Sequence, residues 1–262
     1  MNINLQGRKA LVGGSSRGIG LAIAQQLAES GASVTLMARS EDKLKQITKS
    51  LHATYPSQKH QYLVVDFTDF SRYSEVIKRY FSKNTVDILV NNTQGPKAGT
   101  PLEKSVEDYQ EAFDVLFKSV VFTTQLAIGR MRSQQWGRII NVASVSVKEP
   151  LSYLVLSNSI RAAVVAWAKS LATEVGPDGV TVNSILTGYF DTERLGELNQ
   201  KKAEQQQIKP EEVRSHMTGQ VPLRRLGIPK EYGFLAAFLA SDKAGYITGS
   251  NIPIDGGLLR SL

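Results

Sequence analysis

A chain of 262 residues with 42% hydrophobic and 21% charged side chains has the size and composition of one large α/β unit. It has no cysteine, which excludes disulfides, thiolate nucleophiles and zinc–cysteine sites; its longest uninterrupted apolar run, 162–168, is far too short to cross a bilayer, and its first residues read as no secretory signal. The net charge of +7 comes from scattered Lys and Arg, which suits a solvated surface and a field that attracts small anions; no nucleic-acid or membrane partner is expected, and the expected location is cytoplasmic.

Short apolar runs alternate with helical spacing along the chain, the pattern of βα units stacked on a parallel sheet. The first strand is expected at 10–12, followed by GGSSRGIG and a helix over 19–30 that Gly31 closes. Strands follow at 34–38, 62–65 and 87–90, with a helix over 72–81 between the last two. A long helix covers 106–132, a fifth strand 138–142, and a second long helix 154–175. A sixth strand at 180–185 leads into a polar, helix-prone insertion at 191–220, then a helix over 230–240 and a last strand at 251–254. No repeat or linker divides residues 1–262, so one doubly wound seven-stranded parallel sheet with helices on both faces is the expected α/β architecture.

Gly14, Gly18 and Gly20 leave a strand and open a helix, the context in which backbone N–H groups and a helix N-terminus meet a pyrophosphate. No Lys-Ser/Thr pair follows the last glycine, which argues against a P-loop. A ligand-free tight turn uses the same glycines, but their place in an N-terminal βαβ unit favours a dinucleotide. At the end of the second strand, where an acid would accept the ribose hydroxyls of NAD, stand Ala38, Arg39 and Ser40. Arg39 and Arg17 suit a 2′-phosphate, so NADP(H) is preferred over NAD(H), with Arg39 as a plain surface residue the alternative. His52, His60 and His216 show no ligand spacing, so no metal is expected.

The order GGSSRGIG (13–20), VVDFTD (64–69), DILVNNTQG (87–95), GRIINVAS (137–144), GVTVNSILTGYFDT (179–192) and PLRRLG…YITGSNIPIDGG (222–257) resembles the short-chain dehydrogenase/reductase family, particularly its branch of 3-oxoacyl-carrier-protein reductases, over nearly the whole length. The resemblance implies a single NAD(P)-binding Rossmann domain and an oxidoreductase acting on a small-molecule carbonyl or alcohol. It assigns Gly14, Ser16, Arg17, Gly18, Ile19 and Gly20 to the pyrophosphate turn, Asp66 and Phe67 to the adenine, Asn92 to the adjacent ribose, and Gly188 and Thr192 to the nicotinamide end. Gln94 replaces a family glycine, with Gly95 one residue later.

By the same resemblance a tyrosine protonates the substrate, a lysine four residues on lowers its pKa and holds the ribose, a serine polarises the carbonyl, and an asparagine supports the lysine. Here the serine is Ser144, the tyrosine position is Ser157, the lysine position is Arg161 and the asparagine position is Leu116; the family's Pro-Gly after the sixth strand is Thr187–Gly188. Arg161 would anchor ribose hydroxyls without relaying a proton, and Ser157 would be a weak donor or hold a water. Tyr153 and Tyr189 are candidate stand-ins for the acid, each with an ordinary loop aromatic as its alternative. Lys118 points to another side of its helix. The stretch 191–220 is expected as a substrate lid or a solvated excursion, with Lys201, Lys202 and Gln205–Gln207 as its polar residues. The second long helix is apolar on nearly every side and must be buried by neighbours or partners; the resemblance, in which the two long helices pair across a dimer interface, implies a homodimer or homotetramer. A catalytically silent NADP(H)-binding sensor or oligomer partner is the rival reading.

Overall fold

The computed structural model describes residues 2–261, apart from the side chains of Lys201 and Gln205. Seven strands form one all-parallel sheet: β1 (Lys9–Val12), β2 (Ser33–Ala38), β3 (Gln61–Val64), β4 (Ile88–Asn91), β5 (Gly137–Ser144), β6 (Val180–Thr187) and β7 (Asn251–Ile254). Their order across the sheet is β3-β2-β1-β4-β5-β6-β7. The central strands β1 and β4 are mostly apolar because helices cover both faces. On one face α1 (Gly18–Glu29), α2 (Glu41–Ser50) and α9 (Pro229–Leu239) bury Ile23, Leu27, Leu44, Tyr232 and Ala236. On the other, α3 (Phe70–Phe81), α4 (Val106–Phe113) with α5 (Ser119–Ser133), and α6 (Val155–Val175) bury Tyr73, Ile77, Leu116, Met131 and Ala168. Burying each such side chain contributes about 1.5–3 kcal/mol.

Four expectations change. Helix α2 was not foreseen: Ser40, Glu41 and Asp42 make a good helix start, but only Leu44 is buried on a highly polar sequence. The helix over 106–133 is continuous yet not regular. Residues Asp114–Lys118 form a wide π turn, in which the Ser119 N–H reaches back to the Asp114 carbonyl. Helix Val106–Ser133 is long and apolar enough by composition to cross a membrane, but here it packs against α3, α6 and the sheet. Finally, β5 and β6 each run two residues beyond expectation and end paired, Ser144 beside Thr187. The insertion is two helices, α7 (Glu193–Gln206) and α8 (Pro210–Gln220), with a small core of Ala203, Val213 and Met217 against Tyr189, Leu195 and Ile208.

The sheet order reverses between β1 and β4. Chains leaving the carboxyl ends of these two strands turn to opposite faces and open a crevice, the place where doubly wound sheets take their ligands.

Candidate active site

The glycine turn is built into that crevice with no room to spare. Gly14 and Gly18 hold φ of +54° and +57°, a conformation that side chains disfavour. A Cβ on Gly20 would lie 2.3 Å from the Gly14 carbonyl oxygen, and one on Gly13 2.2 Å from that of Asn92. Asn92 fastens the turn from β4: its Nδ2 donates to the Gly13 carbonyl at 3.0 Å. Ser15, which the sequence did not single out, fastens it from β2. Its buried hydroxyl donates to the Val12 carbonyl at 2.9 Å and accepts from the Met37 N–H at 2.9 Å. Helix α1 starts at Gly18 with no side-chain cap and no acid in its first turn. The N–H groups beside Ser16 and Ile19 are therefore left for an anion. These residues fit a dinucleotide pyrophosphate.

The adenosine half has its candidates close by. Phe67 and Asn92 line one narrow cleft with Gly13 and Thr93. The Phe67 ring itself packs on Tyr73, at 5.1 Å between centroids, so its side chain belongs to the core as much as to the cleft. Burial pushes the Asp66 carboxyl up, but the N–H and hydroxyl of Thr68 (2.9 and 2.7 Å) and the Arg39 charge outweigh it and hold the group below its usual value. Arg39 and Ser40 are exposed at the end of β2. Arg17 is not free: its guanidinium meets Glu193 at 3.0 Å and Glu197 at 2.9 Å on α7. That latch joins the glycine turn to the insertion across about 180 residues of sequence, beyond any spacing rule. Thr192 caps α7 by accepting from the Leu195 N–H at 3.2 Å, and its methyl lies 3.4 Å from where a Gly18 Cβ would be. Gly188 lies against the loop after β7, where a Cβ would be 2.6 Å from the Asp255 Cα.

At the carboxyl ends of β5 and β6 stand the groups that could meet a carbonyl. Ser144 Oγ accepts from the Ser146 N–H at 3.1 Å, which leaves its own proton free to donate. Ser157 is buried in the first turn of α6, and its hydroxyl has no hydrogen-bond partner among the described residues. Arg161, one turn on, donates to the Val142 carbonyl and meets no carboxylate among the described residues. Burial lowers its pKa from the usual arginine value, but an arginine stays charged under ordinary conditions. Leu116 is buried in the core, so no amide stands at that position, although the π turn around it is the kind of irregularity frequent at functional sites. Lys118 is away from the site, paired with Asp114 at 3.4 Å and lying 4.1 Å over the Phe70 ring.

The insertion leans over this site. Tyr153, 41% exposed, has Lys202 of α7 at 5.6 Å from its ring centre. Tyr189 packs against α7 and α8, and its hydroxyl is 3.5 Å from Gln220. Burial raises both phenols above 10, and for Tyr189 the neighbouring Tyr153 adds to it.

A glycine cradle at a sheet reversal, an uncapped helix start and a hydroxyl-lined cleft beside it define the dinucleotide-binding class of doubly wound proteins. Comparison with known proteins agrees. The family model described as enoyl-(acyl carrier protein) reductase matches residues 14–259. The chain is 32% identical to the 3-oxoacyl-[acyl-carrier-protein] reductase FabG of Aquifex aeolicus over 98% of this chain and 100% of that one. It is 28% identical to the NADPH-dependent reductase BacG of Bacillus subtilis over 97% and 99% of the two chains. Among solved structures, the L-sorbose reductase of Gluconobacter frateurii complexed with NADPH and L-sorbose superposes with a TM-score of 0.92, at 30% identity and full coverage of both chains. The chain belongs to the short-chain dehydrogenase/reductase family, a family of nicotinamide-dependent oxidoreductases acting on C=O or CH–OH groups.

Proposed function

We propose that this protein reduces a small-molecule carbonyl, or oxidises the corresponding alcohol, with NADP(H) and without the family's tyrosine and lysine. The observation that carries the reading is Ser144. It closes β5 beside Thr187, and its oxygen accepts from the Ser146 N–H, which leaves its own proton free for an incoming carbonyl oxygen. When bound, the nicotinamide supplies hydride to the carbonyl carbon. Arg161 anchors the ribose hydroxyls; Ser157 holds a water or donates weakly. Ser144→Ala is expected to lower kcat with a reducible ketone about a hundredfold, with the NADPH Kd unchanged. Equal turnover in the variant, measured by NADPH consumption, would remove Ser144 from the reaction.

The NADP(H) preference draws support from Arg39, from Ala38 where NAD would want an acid, and from the NADPH named in two relatives. Arg17 enters that preference through the latch. Exposed ion pairs are each worth about 0.2–1 kcal/mol, so Glu193→Gln with Glu197→Gln should free Arg17 for the 2′-phosphate. NADPH affinity is then expected to rise about three- to tenfold. The NADH affinity should move far less, and fluorescence titration of both cofactors is the check.

The substrate contacts we assign to the lid, residues 191–220, with Lys202, Tyr153 and Tyr189 above the cleft. An aromatic pair with a cation beside it suits a polyhydroxylated or anionic carbonyl compound, a 3-oxoacyl thioester among them. We also infer a cytoplasmic homo-oligomer. Phe113, exposed on α4, stacks on Phe117, whose ring meets Trp167 of α6, an aromatic face that a second copy would cover. The rival reading, a silent NADP(H)-binding sensor, is favoured by Leu116 and by the weak acid at Ser157. Bound NADPH that a broad carbonyl panel never consumes would decide for it.

A further inference from the structure

We propose that Thr187 and Tyr232 form a two-hydroxyl proton relay in place of the family's tyrosine, with Thr187 touching the substrate oxygen and Tyr232 supplying the proton from behind. The inference rests on the reductase reading above.

The placement comes from sheet register. Ser144 and Thr187 are the last paired residues of β5 and β6, so their side chains leave the sheet on the same face. Thr187 is partly exposed there, in the position where the family's Pro-Gly would carry no hydroxyl. Its Oγ1 lies 3.1 Å from the hydroxyl of Tyr232, which reaches up from α9. Tyr232 is fully buried, and its other contact, to the Ile185 carbonyl, is 3.4 Å, long for an O–H···O bond. A phenylalanine would fill the same pocket against Phe190, whose ring lies edge-on at 5.4 Å, without burying a hydroxyl. Packing therefore accounts for the ring and leaves the hydroxyl to be explained. Among the described residues, the side chain within hydrogen-bond reach of it is that of Thr187. Burial holds the Tyr232 phenol above the usual tyrosine value, and two groups oppose it: the Thr187 hydroxyl and the charge of Arg161, which hangs from the Val142 carbonyl with no carboxylate partner among the described residues.

In the reducing direction the carbonyl carbon accepts hydride from the reduced nicotinamide and the C=O π pair moves to oxygen. That oxygen takes the Thr187 proton as the Thr187 O–H bond breaks. In the same movement Thr187 takes the proton of Tyr232, so the threonine never carries the full charge. The negative charge ends on the Tyr232 phenolate, where the Arg161 charge offsets part of the cost of burying it, and water entering after product release returns the proton through Thr187. Ser144, on the adjacent strand, donates its hydrogen bond to the same substrate oxygen throughout.

The experiment compares the unmodified protein with Tyr232→Phe, Thr187→Val and Thr187→Ser on a ketone that NADPH reduces, reading kcat, KM, the solvent deuterium isotope effect, NADPH affinity and melting temperature. The relay predicts that the Phe and Val variants lose about a hundredfold or more in kcat with NADPH affinity kept. It also predicts that Thr187→Ser retains most of the activity and the isotope effect. A purely structural role would lower the melting temperature of the Phe and Val variants and leave kcat and the solvent isotope effect of the folded protein unchanged. Folded Tyr232→Phe with kcat within threefold of the unmodified protein overturns the relay. If Tyr232→Phe does not fold, the Val and Ser variants decide by themselves, and equal kcat in the two overturns it. An unmodified protein that binds NADPH and reduces nothing overturns the reductase reading and the relay with it, whereas active variants in an active protein overturn the relay alone.

Discussion

Gly20→Ala is expected to abolish measurable NADPH binding and to lower stability by about 2–3 kcal/mol, because the added methyl has nowhere to go. Its Cβ would lie 2.3 Å from the Gly14 carbonyl oxygen and 2.7 Å from Asn92 Nδ2. Neither is the free end of a flexible chain. Gly14 is locked at φ +54°, and its neighbour Ser15 is bonded to both β1 and β2. Asn92 Nδ2 is bonded to the Gly13 carbonyl. Relief therefore requires moving the turn off the sheet, which also moves the first N–H groups of α1 away from the pyrophosphate. Gly129→Ala is the matching control. It lies inside α5 with nothing within 4 Å of its Cβ position, and the helix should gain roughly 0.5–1 kcal/mol. Thermal melts and NADPH titration of the two variants check both halves. A Gly20→Ala protein that melts normally and binds NADPH would mean that the cradle is looser than its contacts require.

That cradle was the part of the site most legible in the sequence, and for a physical reason. Its constraints are local: glycines four and two residues apart, a strand before them and a helix after, all within one βαβ unit. The same holds for the absent acid after β2, where Ala38 and Arg39 stand in one turn of chain. What the sequence did not disclose depends on contacts across the fold. Arg17 reads as a free guanidinium until α7 brings Glu193 and Glu197 to it. Thr187 reads as a lost proline until α9 brings Tyr232 to 3.1 Å from it. The π turn at Asp114–Lys118 has no pattern of its own, since its residues keep ordinary helical spacing on both sides. Helix α2 is the exception, because Ser40-Glu41-Asp42 with Leu44 and Ile47 was readable as a helix start and a short apolar stripe.

Restoring the family's pair by Ser157→Tyr with Arg161→Lys is expected to raise kcat about a hundredfold, and to make Tyr232→Phe nearly silent in that background. Ser157 can be replaced without breaking a hydrogen bond, because its hydroxyl has no partner among the described residues. A phenol with a pKa of about 10 beside an ammonium is a far stronger acid than a serine hydroxyl. A lysine at residue 161 also supplies three rotatable donors where the arginine offers a fixed planar fork. The new ring must share the cleft with Tyr153, whose position under Lys202 leaves it exposed enough to yield. The two changes act as a unit, so each alone should recover little: a phenol without its ammonium keeps a high pKa, and a lysine without the phenol has no acid to tune. The epistasis is the sharper half of the prediction. If Thr187 and Tyr232 supply the proton in the unmodified protein, a second acid placed at residue 157 bypasses them, and the loss on Tyr232→Phe should shrink from about a hundredfold to less than about threefold. If the loss persists undiminished in a folded, NADPH-binding variant, Tyr232 matters through the packing of α9 on the sheet and not through its proton.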